Sequence, residues 1–274
     1  MPVTQEEKAE RFRKLHQGSC FIIPNPWDFG SARVLVGMGF PALATSSAAS
    51  AAVIGKTDHG LTRDEALFHS RTIVRATDRP VSADLENGFG DSPEAVAETV
   101  RRAAEAGLVG CTIEDTTGSN EQPLYDFALA VERIAAGAAA ARKLGFPFLL
   151  TARTHNLLFP GGQLEETIRR LQAFEEAGAD VLFAPGLPNL SAVQMICGLL
   201  HNPFNFMVGI PGKSFSVAEL AAAGVRRISL ATSLYRAAMT GFLDAAREIQ
   251  EHGTFTFLDR SIKSTGEIVS LMET

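Results

Sequence analysis

The chain has 274 residues, of which 46% are hydrophobic and 20% charged, so it can bury a sizeable core, and a largely disordered chain is excluded. Its 25 Lys and Arg stand against 31 Asp and Glu, and a net charge of −6 argues against nucleic acid as a partner. The three cysteines lack metal or disulfide spacing, and no signal peptide or run of 18 apolar residues occurs. We therefore expect a cytoplasmic protein with no membrane partner.

A short apolar run followed by an amphipathic stretch recurs about every thirty residues, which is the rhythm of βα units. A helix is predicted over residues 4–17. Eight strands are predicted at 20–24, 42–45, 81–85, 109–113, 148–152, 181–184, 205–208 and 227–230. Capping patterns at Thr62–Glu65 and Ser216–Glu219, and the pair Ser92-Pro93, predict three helix starts.

Eight mostly apolar parallel strands, each followed by a helix, predict an α/β fold of the (β/α)₈ TIM barrel type. We expect a single domain over residues 1–274, with the barrel at about 18–250 and a C-terminal packing segment at 251–274. A doubly wound open sheet is the alternative. No GxGxxG follows the first strand, which argues against a dinucleotide site of the Rossmann type.

Carboxylates follow the third and fourth predicted strands, where the active site of such a barrel lies. Asp84 and Glu86 end the third strand, where an extended backbone would point both side chains to one side, and Glu114 ends the fourth. Carboxylates gathered at one mouth repel one another unless a cation neutralises them, and oxygen ligands suit Mg²⁺ or Mn²⁺. The alternative is that some of them cap helices or pair with an arginine, which applies equally to Asp115.

An arginine and a histidine follow the fifth predicted strand. The guanidinium of Arg153 could bind a substrate carboxylate through two hydrogen bonds, and the alternative is a salt bridge to one of the acids. His155 is either an acid/base group or a structural hydrogen bonder.

A run of small residues follows the second predicted strand. Its backbone N–H groups could approach a ligand oxygen and stabilise an oxyanion, although an Ala/Ser-rich loop that simply enters a helix would look the same. The run begins with Thr45, Ser46, Ser47 and Ala48.

Four segments, in order and each at the end of a successive strand, resemble the isocitrate lyase/phosphoenolpyruvate mutase superfamily. They are Gly39–Asp58, Val81–Gly90, Gly110–Gly118 and Thr151–Asn156. The resemblance covers residues 15–250. It implies a (β/α)₈ barrel, Mg²⁺, a small 2-oxo or 2-hydroxy carboxylate as substrate, and a homo-oligomer, tetramer or dimer, whose C-terminal helix is exchanged between subunits.

The resemblance also implies residue roles. Asp84 would bind the metal directly and contact the substrate, while Glu86 and Glu114 hold metal-bound waters, Glu114 being also part of the catalytic set. Arg153 would bind the substrate carboxylate, and Asp58 would act beside the metal. The substrate-binding pocket would be formed by Thr45 and by the backbone of Ser46, Ser47 and Ala48.

The chain departs from these relatives in the loop after the fourth strand. Residues 116–123 read TTGSNEQP, where the lyases carry K-[KR]-C-G-H and the mutases a lysine, and Pro185-Gly186 replaces another acid/base position. The remaining groups favour a Mg²⁺-dependent C–C lyase or decarboxylase acting on a small 2-oxo or 2-hydroxy (di)carboxylate through an enolate-like intermediate. The alternatives are a P–C bond enzyme of the phosphonopyruvate type and a 2-oxo acid binding protein with little turnover.

Overall fold

Eight parallel strands form one sheet in the order β1-β8-β7-β6-β5-β4-β3-β2 in the computed structural model, which describes residues 3–261 and 265–273. The strands are β1 Phe21–Ile23, β2 Leu43–Ala44, β3 Val81–Asp84, β4 Gly110–Glu114, β5 Leu149–Arg153, β6 Val181–Phe183, β7 Phe204–Met207 and β8 Arg227–Ser229. The seam between β1 and β2 is bridged by the Ala44 N–H, which donates to the Pro24 carbonyl over 3.0 Å. The predicted (β/α)₈ barrel is confirmed, and each strand ends within one residue of its predicted bounds.

The helices surround this sheet. They are α1 Gln5–Gln17, α2 Phe29–Gly37, α3 Ser47–Val53, α4 Arg63–Arg75, α5 Pro93–Glu105, α6 Phe127–Arg142, α7 Leu164–Glu176, α8 Leu190–Leu199, α9 Val217–Ala222, α10 Ser233–His252 and α11 Thr265–Met272. The three predicted starts are confirmed, with capping boxes at Thr62 and Ser216 and a side-chain cap at Ser92. Within residues 3–261 and 265–273, no helix combines the length and the apolar character needed to cross a bilayer.

The end of α5 depends on a glycine. Gly107 has a φ of +91°, and a Cβ atom there would lie 2.8 Å from the Val74 side chain. Glycine is the residue that adopts this left-handed conformation without a steric penalty, so the chain turns directly from α5 into β4.

Helix α1 covers the N-terminal end of the barrel. Buried His16 packs edge-on against Phe12 and Phe21, and its Nδ1 lies 2.8 Å from the Phe12 carbonyl. Its Nε2 faces Nη1 of Arg227 at 3.4 Å, inside the barrel, where Arg227 also donates to Asn205 and Thr151. Burial, together with the charge of Arg227, lowers the pKa of His16 to about 3, so a neutral ring closes this end.

The C-terminal region departs from the barrel pattern. None of the residues of α10 is buried, and its apolar side chains include Phe242, which is 62% exposed. Helix α11 packs against α2 of the same chain, where the Arg33 guanidinium donates to the Met272 carbonyl. Residues 262–264 and 274 of the predicted packing segment lie outside the described residues. The exchange of a helix between subunits concerns a second copy of the chain and stays a prediction.

Candidate active site

A cavity of about 170 Å³ opens among the carboxyl ends of the strands. Most of the residues predicted from the sequence line it, namely Thr45, Ser46, Ser47, Ala48, Asp58, Asp84 and Arg153. Asn205, Arg227 and Ser229, which the sequence analysis did not select, also line it. The feature of the sequence that could have identified them is a polar side chain within an otherwise apolar strand. The β/α pattern thus brings residues from distant parts of the chain to one end of the barrel.

Asp84 ends β3 and lies between α3 and β5. Its Oδ2 is 3.3 Å from Oγ of Ser47 and 3.5 Å from Nη1 of Arg153, and its N–H donates to Thr45 Oγ1. Burial raises the pKa of Asp84, the Arg153 charge opposes that shift, and the negative charges of Glu114 and Asp58 add to it. A cation at this carboxylate would offset the cost of holding it ionised.

Glu114 ends β4 and is 3% exposed. Its Oε2 lies 3.1 Å from Nε2 of His155 and 3.6 Å from Nη1 of Arg153, and Thr116 Oγ1 donates to its Oε1 over 2.5 Å. Burial alone would raise the pKa of Glu114, but His155 and Arg153 outweigh burial and hold that pKa below its ordinary value. Glu114 is therefore a buried, ionised carboxylate.

Arg153 ends β5 with its guanidinium near both acids and 4.8 Å above the Phe183 ring. The salt bridge that the sequence analysis left as an alternative is thus present. Nε of Arg153 is buried, and no described residue accepts a hydrogen bond from it. This N–H is a donor that a substrate carboxylate could use.

Glu86 is placed differently from the sequence expectation. β3 ends at Asp84, and Glu86 has a φ of +50°, so the prediction that both lie on one extended segment is wrong. Its Oε2 lies 3.5 Å from Nδ1 of His59, and its buried Oε1 has no partner among the described residues. A left-handed turn, rather than strand alternation, sets the position of this carboxylate.

His59 is a nearby group that the sequence analysis missed. It is half-exposed, and its φ of +60° holds the loop after α3 in a left-handed conformation. The contact with the Glu86 carboxylate raises the pKa of His59 to about 9. Its only sequence signal was its position beside Asp58.

Two further polar residues have structural partners. Asp115 accepts a hydrogen bond from the His155 N–H and forms a buried salt bridge to Arg170 of α7 at 3.2 Å. For Asp115, the alternative of pairing with an arginine is therefore the one observed. His155 Nε2 lies within salt-bridge distance of Glu114, but without hydrogen-bond geometry. Its ring therefore lies beside the Glu114 carboxylate.

A divalent cation at this site would bind through oxygen donors. Among the described residues, no three His, Cys, Asp or Glu side chains lie close enough to hold one ion together. Asp84 faces the cavity, and the partnerless Oε1 of Glu86 is an acceptor that a water molecule could satisfy. Mg²⁺ usually keeps several waters and binds protein through one or two carboxylates. Asp84, which lines the cavity, therefore fits a directly bound cation, while the water-mediated roles expected for Glu86 and Glu114 stay predictions.

Residues 12–250 match the family model described as phosphoenolpyruvate phosphomutase. A solved structure from Burkholderia cenocepacia, named provisionally as a lyase/mutase, has a TM-score of 0.95 and 48% identity, covering 98% of this chain and 97% of that chain. Oxaloacetate decarboxylase of Paraburkholderia xenovorans is 30% identical over 257 residues, which are 91% of this chain and 83% of that protein.

The crystal structure of 2,3-dimethylmalate lyase, described as a PEP mutase/isocitrate lyase superfamily member, has a TM-score of 0.86 and 28% identity, covering 98% of this chain and 95% of that chain. The family match extends over nearly the whole barrel and includes the strands that build the cavity. The chain therefore belongs to the phosphoenolpyruvate phosphomutase family, within the PEP mutase/isocitrate lyase superfamily, and is an enzyme of the carbon–carbon lyase type.

Proposed function

We propose that the chain is a Mg²⁺-dependent C–C lyase or decarboxylase, for which Mn²⁺ could replace Mg²⁺. Its substrate is a small 2-oxo or 2-hydroxy carboxylate, with oxaloacetate the first candidate, and the reaction passes through an enolate-like intermediate. The observation that carries the proposal is the placement of Asp84 and Arg153 3.5 Å apart in a small cavity. A carboxylate for a cation and a guanidinium for a substrate carboxylate are what a 2-oxo acid requires.

The carboxylates would hold the cation. Asp84 would bind it directly, while Glu86 and Glu114 would orient its water ligands. When bound, the cation supplies Lewis-acid stabilisation to the negative charge that develops on the substrate oxygen. Asp58, which lines the same cavity, would act beside it.

Arg153 and the start of α3 would hold the substrate. The unpartnered Nε of Arg153 would donate to the substrate carboxylate and so orient it. Thr45 is fixed by the Asp84 N–H, and Ser46 is the N-cap of α3 without a side-chain cap bond. The backbone N–H groups of Ser46, Ser47 and Ala48 would stabilise an oxyanion at this wall of the cavity, where the Ser47 N–H also donates to Asp84 Oδ2 over 3.5 Å.

The proton that completes the reaction would come from water. The loop at residues 116–123 carries no Cys, Lys or His, and it folds back on itself through a bridge between Thr116 and Leu124. A decarboxylation or a retro-aldol-type cleavage needs a group that accepts the electron pair more than it needs a strong side-chain acid. This chemistry fits a site with a cation, an arginine and few proton donors.

We also propose that the chain acts as a cytoplasmic homo-oligomer, a tetramer or a dimer. The support is α10, whose exposed apolar side chains include Phe242, Leu243 and Ile249. An apolar helix face of this kind is typical of a helix that packs on another subunit.

A substrate panel tests the proposed activity. The protein is supplied with Mg²⁺ and with oxaloacetate, isocitrate, 2-methylisocitrate, 2,3-dimethylmalate or phosphonopyruvate, while the release of pyruvate, glyoxylate and phosphate is followed. We expect pyruvate from oxaloacetate above the rate of Mg²⁺ alone. Phosphate from phosphonopyruvate would indicate the P–C alternative, and saturable binding without turnover would indicate a binding protein.

A further inference from the structure

The turn that follows β3, residues 86–91, is held in an unfavourable backbone conformation. Glu86, Gly88 and Phe89 have φ values of +50°, +83° and +59°. Non-glycine residues in the left-handed region are uncommon, and they persist where the surrounding structure determines them. Because Glu86 opens this turn, whatever holds the turn also determines where the Glu86 carboxylate points.

Side chains from three helices bind the carbonyl groups of this turn. Thr99 of α5 donates to the Gly88 carbonyl over 2.6 Å, and Arg63 of α4 donates to the carbonyls of Gly88 and Phe89 over 3.3 Å. Arg133 of α6 donates to the other three carbonyls, which belong to Asn87, Gly90 and Asp91. Each carbonyl from 87 to 91 therefore has a side-chain donor, and one guanidinium serves three of the five.

Arg133 is 1% exposed, and its guanidinium lies 4.0 Å from the centre of the Tyr125 ring. The Tyr125 hydroxyl donates to Asp91 Oδ1 over 2.6 Å and accepts from Asn87 Nδ2 at 3.1 Å. Tyr125 and Arg133 thus hold the same turn. Tyr125 bonds to the side chains of the turn, and Arg133 bonds to its backbone carbonyls. A buried arginine is a costly way to fill space, yet the hydrogen bonds described for Arg133 all go to this turn.

We infer that Arg133 and Tyr125 are positioning residues that clamp the turn at 86–91 and thereby fix the Glu86 carboxylate, whose Oε2 lies 3.5 Å from Nδ1 of His59 and whose Oε1 is buried. The clamp acts through backbone and side-chain hydrogen bonds and touches no substrate. Its link to catalysis rests on the proposed function, in which Glu86 orients a water ligand of the cation. The clamp itself stands on the hydrogen bonds alone.

The first experiment measures the turn without reference to activity. Hydrogen exchange of peptides spanning 86–91 is compared in the wild type, Tyr125→Phe and Arg133→Lys. Loss of the Tyr125 hydroxyl removes its hydrogen bonds to Asp91 and Asn87, so exchange is expected to accelerate at least about tenfold there, while peptides of α7 and α8 exchange as in the wild type. Tyr235→Phe, the corresponding change at the chain's other tyrosine, and Arg142→Lys, on the same helix as Arg133, are the matched controls.

The second experiment tests the link to the site by direct Mn²⁺ binding, followed by electron paramagnetic resonance of the free ion. We expect Tyr125→Phe to raise the dissociation constant for Mn²⁺ at least about threefold while the melting temperature stays unchanged. The two control variants are expected to bind Mn²⁺ as the wild type does. Arg133→Lys keeps the charge but not the three-carbonyl geometry, so it is expected to resemble Tyr125→Phe rather than the wild type.

The outcomes separate the clamp from the proposed function. If peptides spanning 86–91 exchange at the wild-type rate in both Tyr125→Phe and Arg133→Lys, the clamp is overturned, whatever the protein binds. Faster exchange with undiminished Mn²⁺ affinity would overturn the role of the clamp in fixing Glu86. A wild type that binds no Mn²⁺ would contradict the proposed function, and the exchange data would still decide whether the clamp exists.

Discussion

At the scale of single residues, the proposed binding of the substrate carboxylate by Arg153 can be tested by one substitution. Arg153→Lys keeps a positive charge near Asp84 and Glu114 but removes the planar fork and the Nε donor. A hydrogen bond between charged groups contributes about 1.5–3 kcal/mol, so we expect the KM for oxaloacetate to rise at least about tenfold in steady-state assays. Arg101→Lys, at an exposed position on α5, is the control. An unchanged KM in Arg153→Lys would show that Arg153 does not bind the substrate.

His16 provides a residue-scale prediction about pH. Its pKa of about 3 in the folded protein lies below the ordinary value of 6.5, so the unfolded chain binds a proton first as the pH falls. Folding stability is therefore lost progressively from about pH 6.5 towards pH 3, by up to about 1.4 kcal/mol per pH unit from this group.

The test compares His16→Gln with the wild type by urea denaturation at pH 7, 5.5 and 4.5. The amide does not titrate and can still accept from Arg227, so we expect the variant to lose less stability than the wild type on acidification. His252→Gln, exposed on α10, should behave as the wild type does. Parallel pH curves for His16→Gln and the wild type would refute the role of the buried ring.

At the scale of elements, the strands and helix starts were predictable because they depend on local patterns. A strand of the barrel is a short apolar run, and a capping box is a cap residue followed three residues later by a glutamate, as at Thr62 and Glu65. Once the strands were predicted, the residues at their carboxyl ends were predicted with them. Asp84, Glu114 and Arg153 lie at the ends of β3, β4 and β5, so they could be found from the sequence.

The turns were less predictable, since their geometry depends on distant residues. Glu86 reaches its position through a left-handed turn whose carbonyls are bound from α4, α5 and α6, and no local pattern encodes those hydrogen bonds. His59 likewise meets Glu86 through a loop from another part of the barrel. Arg133 looks like an ordinary helix residue in the sequence, although it is almost fully buried.

The capping box of α4 gives an element-scale prediction. The Glu65 N–H donates to Thr62 Oγ1, and the Thr62 N–H donates to the Glu65 carboxylate over 2.8 Å. Thr62→Ala removes the hydroxyl acceptor, so we expect a loss of about 1 kcal/mol in the free energy of unfolding, measured by urea denaturation. Thr72→Ala, in the interior of the same helix, removes a hydroxyl without removing a cap and should cost less. Equal effects would contradict the cap.

At the scale of the whole molecule, α10 is the feature that a single chain leaves unexplained. In a closed barrel, the helix that follows β8 completes the outer ring of helices. In this chain that helix is α10, and its side chains Phe242, Leu243 and Ile249 are exposed. We expect light scattering to give a mass well above the 29.3 kDa of one chain, and Phe242→Glu to shift that mass towards one chain. Gln250→Glu adds the same charge to the same helix and should leave the mass unchanged. A monomeric wild type would contradict the proposed oligomer.

The proposed decarboxylation of oxaloacetate is tested most directly by one measurement. Pyruvate release from oxaloacetate is followed at increasing Mg²⁺ for the wild type, for Asp84→Asn and for Asp78→Asn, whose side chain is 69% exposed and pairs with Lys8. We expect a Mg²⁺-dependent rate above the metal-only background, reduced at least about a hundredfold in Asp84→Asn and unchanged in Asp78→Asn. A wild-type rate equal to the background, or equal rates in the wild type and Asp84→Asn, would contradict the proposal.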